Sequence, residues 1–174
     1  EVERHYTQTP KVTANDTTIT ASDGVYSVVV NSDTEISVEK VNELDYTLEG
    51  TGASDEDPFL IYDVRDLNYV ASMINAGTPD FVLGYYSLQN DIDCGGANLE
   101  VMGNGTTVNS FFAGFFNGNG HTISNYKIES RGIQYVGLFG FVQSNGTSTT
   151  SGTILNLNLK DFEINAYSGT GSES

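Results

Sequence analysis

The fold is decided by two neighbouring stretches, Asn117-Gly-Asn-Gly-His-Thr-Ile-Ser-Asn-Tyr-Lys-Ile128 and Val136-Gly-Leu-Phe-Gly-Phe-Val142. The first begins with a tight Asn/Gly turn and continues as a short apolar strand, and the second is a short strand bracketed by Gly137 and Gly140. Part of the pattern recurs as Gly152-Thr-Ile-Leu-Asn-Leu-Asn-Leu159. Repetition of a short turn-and-strand unit is typical of an all-β solenoid, in which each unit packs on the next.

The repeat predicts how the units stack. If Thr122–Ile128 and Thr153–Leu159 are equivalent strands on successive turns of a parallel β-helix, equivalent residues lie about 4.8 Å apart. The stacked pairs are then Ile123 with Ile154, Ile128 with Leu159, and Asn125 with Asn156. The aliphatic pairs would build a continuous core. The asparagine pair would share one corner, where it could hydrogen-bond along the stack.

The rest of the chain divides into three parts. Residues 1–49 have apolar residues at alternate positions, which predicts short strands at 18–20, 26–30, 35–39 and 44–48. Residues 50–168 are predicted to form the β-helix, and residues 169–174 a flexible tail. Two or three turns are few for a free-standing solenoid, so we expect either the N-terminal region or further turns to complete it.

One helix is predicted near residues 63–76. Val64, Leu67, Val70, Ala71 and Ile74 recur at three- and four-residue spacing and form a single apolar stripe. Asp63 or Asp66 is the expected N-cap, and Gly77 and Pro79 end the helix. We expect this helix to cover an open end of the solenoid, where strand edges and core would otherwise be exposed.

Composition excludes several classes of function. The net charge of −16 and the pI near 4.1 make binding to nucleic acid improbable on electrostatic grounds. Cys94 is the single cysteine, so no internal disulfide can form, which fits a reducing compartment or a bacterial exported protein. The sequence has no apolar run of transmembrane length and no signal peptide. We therefore expect no membrane insertion and a processed fragment that has lost any targeting signal.

The ordered motifs resemble those of the GLUG-motif family of bacterial surface proteins. Gly137-Leu-Phe-Gly140 matches the Gly-Leu-x-Gly strand of that family, and Asn117–Ile123 matches the turn and strand before it. The lead-in is also similar, through Asp57–Ile61, Tyr86–Leu88 and Asn90–Asp93. The resemblance covers roughly residues 50–160. It implies a right-handed parallel β-helix of the kind found in adhesin-like proteins and in non-catalytic regions of IgA-cleaving metallopeptidases.

From this resemblance we expect a non-catalytic bacterial module, extracellular or on the cell surface, that serves adhesion, ligand display or spacing without a cofactor. Its partner would be a host or bacterial glycan or protein. Exposed aromatic side chains suit such contacts. The candidates are Tyr85, Tyr126, Tyr135 and Phe112, each of which could equally belong to the core or be an ordinary surface aromatic.

The alternative function is a polysaccharide-active β-helix enzyme. Asp91 and Asp93 alternate on one predicted strand, which places their carboxylates about 6.7 Å apart on one face. That separation is close to the range for paired carboxyl groups in glycosidases. An exposed strand face explains the same two residues without catalysis, and the sequence has no Arg or Lys cluster that would bind a uronic acid.

Metal binding is constrained by the ligands available. The chain has no His-Glu-x-x-His motif and only His5 and His121, so a zinc protease site is excluded within it. We expect His121 to make a hydrogen bond to the backbone in its turn. Calcium at Asp55–Asp57 or at Asp91 and Asp93 stays an open alternative, because these segments are rich in oxygen ligands. Sequons at Asn15, Asn104 and Asn145 are explained by chance unless the source is a secretory eukaryote.

Overall fold

The computed structural model describes residues 12–15, 17–19, 35–38, 46–144 and 152–167. The chain separates into two compact units, Glu1–Thr47 and Leu48–Ser174. The described residues contain ten strands and two helices, which confirms the predicted all-β class. The predicted strand at 26–30 and the tail at 169–174 fall outside the described residues, as do residues 44 and 45 of the predicted strand at 44–48. Residues 46–48 are described and form no regular strand.

The first unit contains a small antiparallel sheet. Its strands are β1 (Val12–Ala14), β2 (Thr17–Ile19) and β3 (Ile36–Val38), in the order β2-β1-β3. Asn15 connects β1 to β2 with a φ of 46°, a conformation that asparagine tolerates better than most residues. Its side chain also accepts a hydrogen bond from the Glu35 N–H at 2.9 Å, which ties the turn to the start of β3.

The second unit contains two parallel sheets. One has the strand order β4-β5-β7-β9 and the other the order β6-β8-β10. The elements of this unit are β4 (Phe59–Ile61), α1 (Val64–Asn75), α2 (Pro79–Val82), β5 (Tyr85–Leu88), β6 (Ile92–Asp93), β7 (Phe115–Asn117), β8 (Thr122–Arg131), β9 (Thr153–Leu155) and β10 (Asn158–Tyr167). From β5 onward, each passage of the chain adds one strand to each sheet, because β5 and β6, β7 and β8, and β9 and β10 are consecutive pairs.

A third line of parallel contacts involves the loops between these strands. One bridge links Asn98 with Lys127 of β8, and two bridges between loops link Met102 with Phe139 and Phe112 with Val142. The Gly137–Gly140 motif lies in this third line. Phe139 pairs with Met102 there, and the Gly140 N–H donates to the Met102 carbonyl at 2.9 Å.

Helix α1 begins where the apolar spacing predicts. Of the two candidate caps, Asp63 is the N-cap: its carboxylate accepts from the N–H groups of Arg65 and Asp66. Asp66 completes a capping box by accepting from the Asp63 N–H. The buried face of the helix consists of Asp66, Leu67, Val70, Ala71 and Ile74.

The core of the second unit consists of apolar rows that run across the strands. In one row Tyr86 pairs with Phe116, which pairs with Ile154. In another row Ile92 pairs with Ile123, which pairs with Leu159. The members from β5 to β8 are at most 4% exposed, whereas Ile154 and Leu159 on the last pair of strands are 39% and 41% exposed.

The predicted stacking register is wrong. Ile123 pairs with Leu159 rather than with Ile154, and Ile128 pairs with Ile164 rather than with Leu159. Asn125 therefore lies beside Asp161, and both residues have left-handed backbone, with φ of 54° and 50°. Sequence identity misled the alignment because either residue type fits a left-handed corner.

The two asparagines also occupy different corners. Asn156 follows Leu155, which pairs with Asn117, so Asn156 lies against the Gly118–Gly120 turn rather than beside Asn125. The Gly120 N–H donates to the Asn156 carbonyl at 2.7 Å. The similar sequences around Asn125 and Asn156 thus belong to different corners of the same stack.

Candidate functional site

Asparagine side chains connect successive levels at one corner of the second unit. Asn90 donates to the Tyr62 carbonyl at 3.0 Å, and Asn119 donates to the Leu88 carbonyl at 2.8 Å. Asn156 continues the series by donating to the side-chain oxygen of Asn117 at 3.3 Å. Each amide thus reaches back to an earlier segment of the chain, so these asparagines hold neighbouring passages together.

Asp91 fixes the start of β8. Its Oδ1 accepts from the Thr122 N–H at 2.9 Å and lies 3.1 Å from Nδ1 of His121. These contacts lower the pKa of Asp91, with the backbone hydrogen bond as the largest cause and the imidazole next. The His121 side chain therefore contacts a carboxylate and not the backbone, contrary to the prediction from sequence.

Asp93 stabilises the next corner. Its Oδ1 accepts from Nδ2 of Asn125 at 2.9 Å and from the Gly95 N–H at 2.9 Å. The Asn125 hydrogen bond is the largest cause of a lowered pKa at Asp93, and the Gly95 hydrogen bond is the second. Gly95 and Asn125 both have left-handed backbone, with φ of 58° and 54°, so Asp93 joins the corner residues of two successive levels.

The two carboxylates of the catalytic alternative flank Ile92 on the exposed side of the chain, as predicted. They do not converge on one site, because Asp91 binds His121 and Thr122 whereas Asp93 binds Gly95 and Asn125. Both pKa values are lowered. A general acid in a glycosidase needs the opposite shift, so this arrangement suits hydrogen-bond acceptors and not an acid–base pair.

An open groove of about 450 Å³ lies beside Asp93. Its lining, within the described residues, includes Asp93 but not Asp91, and consists of Asp93, Gly95, Gly96, Asn125, Tyr126, Lys127, Asp161, Phe162 and Glu163. Lys127 and Glu163 form an exposed ion pair at 3.6 Å. The ring of Phe162 stacks on Tyr126 with centroids 5.4 Å apart. The groove therefore combines an aromatic surface with charged hydrogen-bonding groups, a combination that suits polar ligands such as glycans.

Two asparagines on helix α1, which the sequence analysis did not single out, bind the backbone of the following loop. Asn75 donates to the Val101 carbonyl at 2.9 Å and accepts from the N–H groups of Gly103 and Asn104 at 3.1 and 3.0 Å. Asn68 accepts from the Glu100 N–H at 2.9 Å. Spacing of seven residues places both side chains on one helix face, and this is the signal that could have identified them.

The candidate contact aromatics separate into two groups. Phe112 and Tyr126 are at most 2% exposed, so for these two residues the core alternative holds and neither is a contact residue in this structure. Tyr85 and Tyr135 are half-buried and each packs on a phenylalanine, with ring centroids 5.7 Å from Phe115 and 4.7 Å from Phe141, respectively. They retain partly exposed rings and stay candidates.

Two side chains that could bind a metal, Asp57 and Cys94, are engaged locally or buried. Asp57 accepts from the hydroxyl and N–H of Thr51. Burial raises the pKa of the Cys94 thiol to about 11, and the nearby Asp93 carboxylate adds to the shift. Within the described ranges, no three His, Cys, Asp or Glu side chains are placed to hold a metal ion. No helix in the same ranges is long and apolar enough to cross a membrane.

Comparison with known proteins gives two similar sequences. Over 139 residues the chain is 30% identical to halomucin of Haloquadratum walsbyi (strain DSM 16790 / HBSQ001). The aligned segment covers 75% of this chain but 1% of halomucin. Over 97 residues it is 30% identical to a protein of Evansella cellulosilytica named "Putative Gly-rich membrane protein", covering 56% of this chain and 11% of that protein. No family model matches the chain, and no solved structure matches it significantly.

Proposed function

We propose that the second unit, in its described residues, forms successive coils of a GLUG-type right-handed parallel β-helix, and that this β-helix is a non-catalytic module for adhesion, ligand display or spacing. The observation that carries the proposal is the set of parallel contacts in which each passage of the chain adds one strand to each sheet. Such a stack builds an elongated surface from short repeated units, which is the geometry that display and spacing require.

Local features support the solenoid interpretation. Asn90, Asn119 and Asn156 satisfy the polar groups of irregular corners by hydrogen bonds between levels. Asn68 and Asn75 of α1 form hydrogen bonds with the backbone of the loop at 98–104, which is the role expected of a capping helix. Gly140 lies where an added Cβ would come within 2.6 Å of Val101 Cγ1 and 2.7 Å of the Gly103 carbonyl oxygen, so the second glycine of the GLUG-like motif suits close packing between coils.

A location outside the cell or on its surface is part of the proposal. The chain spans about 1% of halomucin and 11% of the Evansella protein, and the latter is named as a membrane protein. Similarity to short segments of longer proteins is expected of a module in a large surface protein. The acidic surface, with a net charge of −16, favours solubility and disfavours nucleic acid as a partner.

The enzyme alternative receives less support. Asp91 and Asp93 would need to share a cleft, yet the groove is lined by Asp93 without Asp91 among the described residues. Both carboxylates instead accept hydrogen bonds from residues of β8, which suits side chains that hold neighbouring strands together. A ligand that occupies the groove would instead meet Lys127 and Asp93 as polar contacts and the ring of Phe162 as an apolar contact.

The test uses the purified chain on a glycan array and on immobilised extracellular proteins, together with a panel of soluble polysaccharides. We expect saturable binding that Lys127→Glu weakens and that Lys160→Glu, an equal change of charge outside the groove lining, leaves unchanged. Polysaccharide chain length should not change during incubation. Loss of polysaccharide chain length that Asp91→Asn abolishes would refute the proposal in favour of the enzyme. Absence of any binding would restrict the module to spacing.

A further inference from the structure

The described part of the second unit contains three Asn-Gly dipeptides, at Asn104, Asn117 and Asn119. In such a dipeptide the glycine nitrogen can attack the side-chain amide carbon of the asparagine, because glycine has no Cβ to obstruct the approach. Ammonia leaves, and water opens the resulting succinimide to aspartate or isoaspartate, which makes asparagine a thermolabile residue. The rate at each site therefore depends on how the fold holds the glycine nitrogen and the asparagine side chain.

In the Asn117–Gly120 turn, both glycine nitrogens are held by the next passage of the chain. The Gly118 N–H donates to the Leu155 carbonyl at 2.9 Å. The Gly120 N–H donates to the Asn156 carbonyl at 2.7 Å. An N–H that donates to a carbonyl keeps its proton, and a protonated amide nitrogen is not a nucleophile. Release of either nitrogen requires the turn to separate from the segment stacked on it, which breaks contacts between distant parts of the chain.

The asparagine side chains of this turn are fixed as well. Asn119 donates from Nδ2 to the Leu88 carbonyl and to Oγ of Ser87, both at 2.8 Å. Asn117 accepts at Oδ1 from Nδ2 of Asn156 at 3.3 Å. These hydrogen bonds tie each side chain to another passage of the chain and oppose its rotation toward the following nitrogen. The stack therefore protects both dipeptides.

Asn104 lies in a loop whose hydrogen bonds are local. Residues 105–109 are exposed, and the Gly105 N–H donates to the Ser110 carbonyl of the same loop at 2.9 Å. Opening of this hydrogen bond frees the nitrogen without separating any strands, and local openings are more populated than openings of the core. Nδ2 of Asn104 donates no hydrogen bond to the described residues, so ammonia can leave without breaking such a contact.

The side chain of Asn104 is also activated toward attack. Its Oδ1 accepts from the Thr106 hydroxyl at 2.7 Å and from the Thr106 N–H at 3.0 Å. As the nitrogen adds to the amide carbon, negative charge develops on this oxygen, and donors aimed at developing charge lower the barrier. The fold also favours glycine at position 105, because φ is 67° there and an added Cβ would come within 2.6 Å of the Tyr135 ring.

We propose that Asn104 is a site of self-modification, at which the folded chain converts asparagine to aspartate and isoaspartate while the stack protects Asn117 and Asn119. The Gly105 nitrogen gives up its proton to hydroxide and bonds to Cγ of Asn104. The Cγ–Nδ2 bond breaks, Nδ2 takes up a proton and leaves as ammonia, and water then hydrolyses the succinimide. The reaction consumes only water, and it does not depend on an adhesive function.

The product loosens the contact between this loop and α1. Isoaspartate lengthens the backbone between residues 104 and 105, beside the N–H groups of Gly103 and Asn104 that donate to Oδ1 of Asn75. The new carboxylate also enters a groove of about 400 Å³ whose lining already includes Glu100 and Glu129, so like charges come together there. Conversion of Asn104 thus weakens the capping contact as the chain ages.

The test follows the three sites in the purified full chain during incubation in mildly alkaline buffer. Digestion in acid, which stops further deamidation, and tandem mass spectrometry then give the aspartate and isoaspartate at each position. We expect Asn104 to convert at least about 10-fold faster than Asn117 or Asn119, because the opening that it needs is local. In urea the three rates should become similar, because the unfolded chain retains only the shared Asn-Gly sequence.

Two variants test the role of the Thr106 hydroxyl. Thr106→Val should slow conversion of Asn104 about 5-fold, the equivalent of one ordinary hydrogen bond. Thr107→Val is the matched control, since it makes the same change at the neighbouring exposed residue, and it should leave the rate unchanged. Equal rates for the two variants would overturn the role of the hydroxyl. Circular dichroism of each variant establishes that it has folded.

Hydrogen exchange tests the consequence for the loop. Protection of the Gly103 amide should fall as Asn104 converts and should stay constant in Asn104→Gln over the same incubation. Constant protection during conversion would overturn the loosening of the loop. The proposed site itself would be overturned if Asn117 or Asn119 converted as fast as Asn104 in the folded chain. It would also be overturned if Asn104 stayed unmodified for as long as the unfolded chain takes to convert.

Discussion

Replacement of Asn75 by alanine tests whether helix α1 holds the edge of the loop at 98–104. Asn75 makes three hydrogen bonds to that loop, to the carbonyl of Val101 and the N–H groups of Gly103 and Asn104, at 2.9 to 3.1 Å. Each hydrogen bond contributes about 1 kcal/mol net. The higher helix propensity of alanine offsets about 0.5 kcal/mol of this loss. We expect Asn75→Ala to lower the free energy of unfolding by about 2 kcal/mol.

The assay is urea unfolding followed by circular dichroism. With an m-value of about 2 kcal/mol/M, the midpoint should fall by about 1 M. Asn75→Asp retains an acceptor for both N–H groups and loses the donor to the Val101 carbonyl, so it should lose about half as much stability. Ser72→Ala is the control, because Ser72 is an exposed residue of the same helix whose hydroxyl donates within the helix, to the Tyr69 carbonyl. Its effect should stay within about 0.5 kcal/mol.

Hydrogen exchange locates the effect. The amides of Gly103 and Asn104 donate to the Asn75 side chain, so Asn75→Ala should reduce their protection more than that of amides in β8. If Asn75→Ala and Ser72→Ala unfold at the same urea concentration, α1 does not stabilise this edge and the assignment of α1 as a cap is refuted.

Three further predictions concern packing, pH dependence and thiol reactivity. Gly140→Ala should lower the free energy of unfolding by about 1–3 kcal/mol, because its Cβ would meet the Gly103 carbonyl oxygen. Gly137→Ala, whose Cβ would have its nearest contact at 3.1 Å, should change the free energy of unfolding by less than about 1 kcal/mol. Equal urea midpoints for the two variants would contradict this expectation. The pKa of Asp93 is lowered in the folded state, so its contribution to stability is present above about pH 3.9 and is lost as pH falls through the folded pKa. Asp93→Asn should therefore flatten the decline of the urea midpoint below about pH 4. An unchanged decline would argue against the contact with Asn125. Burial raises the pKa of Cys94 to about 11, so it should react with Ellman's reagent at pH 8 more than about 10-fold more slowly than an ordinary thiol, and normally once the chain is unfolded in urea. Rapid labelling of the folded chain would contradict its burial.

The element types could be predicted from sequence because their signals are local. The apolar stripe of α1 and its Asp63 cap depend on spacing within one helix. The turn glycines and asparagines likewise act on their own backbone. The stacking register depends on which distant strands pair, and two Asn-containing turns of similar sequence gave no means of telling one corner from another. Identical residues at Asn125 and Asn156 therefore suggested a pairing that the strands do not make.

The candidate site was predicted in position but not in role. Alternation placed Asp91 and Asp93 on one exposed face, and their lowered pKa values come mainly from partners in or beside the later strand β8. Those partners, His121, Thr122 and Asn125, lie about 30 residues further along the chain, at a separation set by loop lengths that periodicity does not encode. The burial of Phe112 and Tyr126 could not be predicted from a local sequence pattern either, because it depends on how distant segments of the chain stack on one another.

Disulfide trapping between Ser124 and Lys160 tests the parallel register most directly. The two residues pair on β8 and β10, and both can be replaced by cysteine in a Cys94→Ser background. Neighbouring parallel strands bring Cα atoms within the range of about 4.4–6.8 Å that a disulfide requires. We predict that Ser124→Cys/Lys160→Cys forms an intramolecular disulfide under mild oxidation, and that Ser124→Cys/Leu155→Cys, which tests the register of the sequence repeat, does not. Bond formation by the second pair and not by the first would contradict the account.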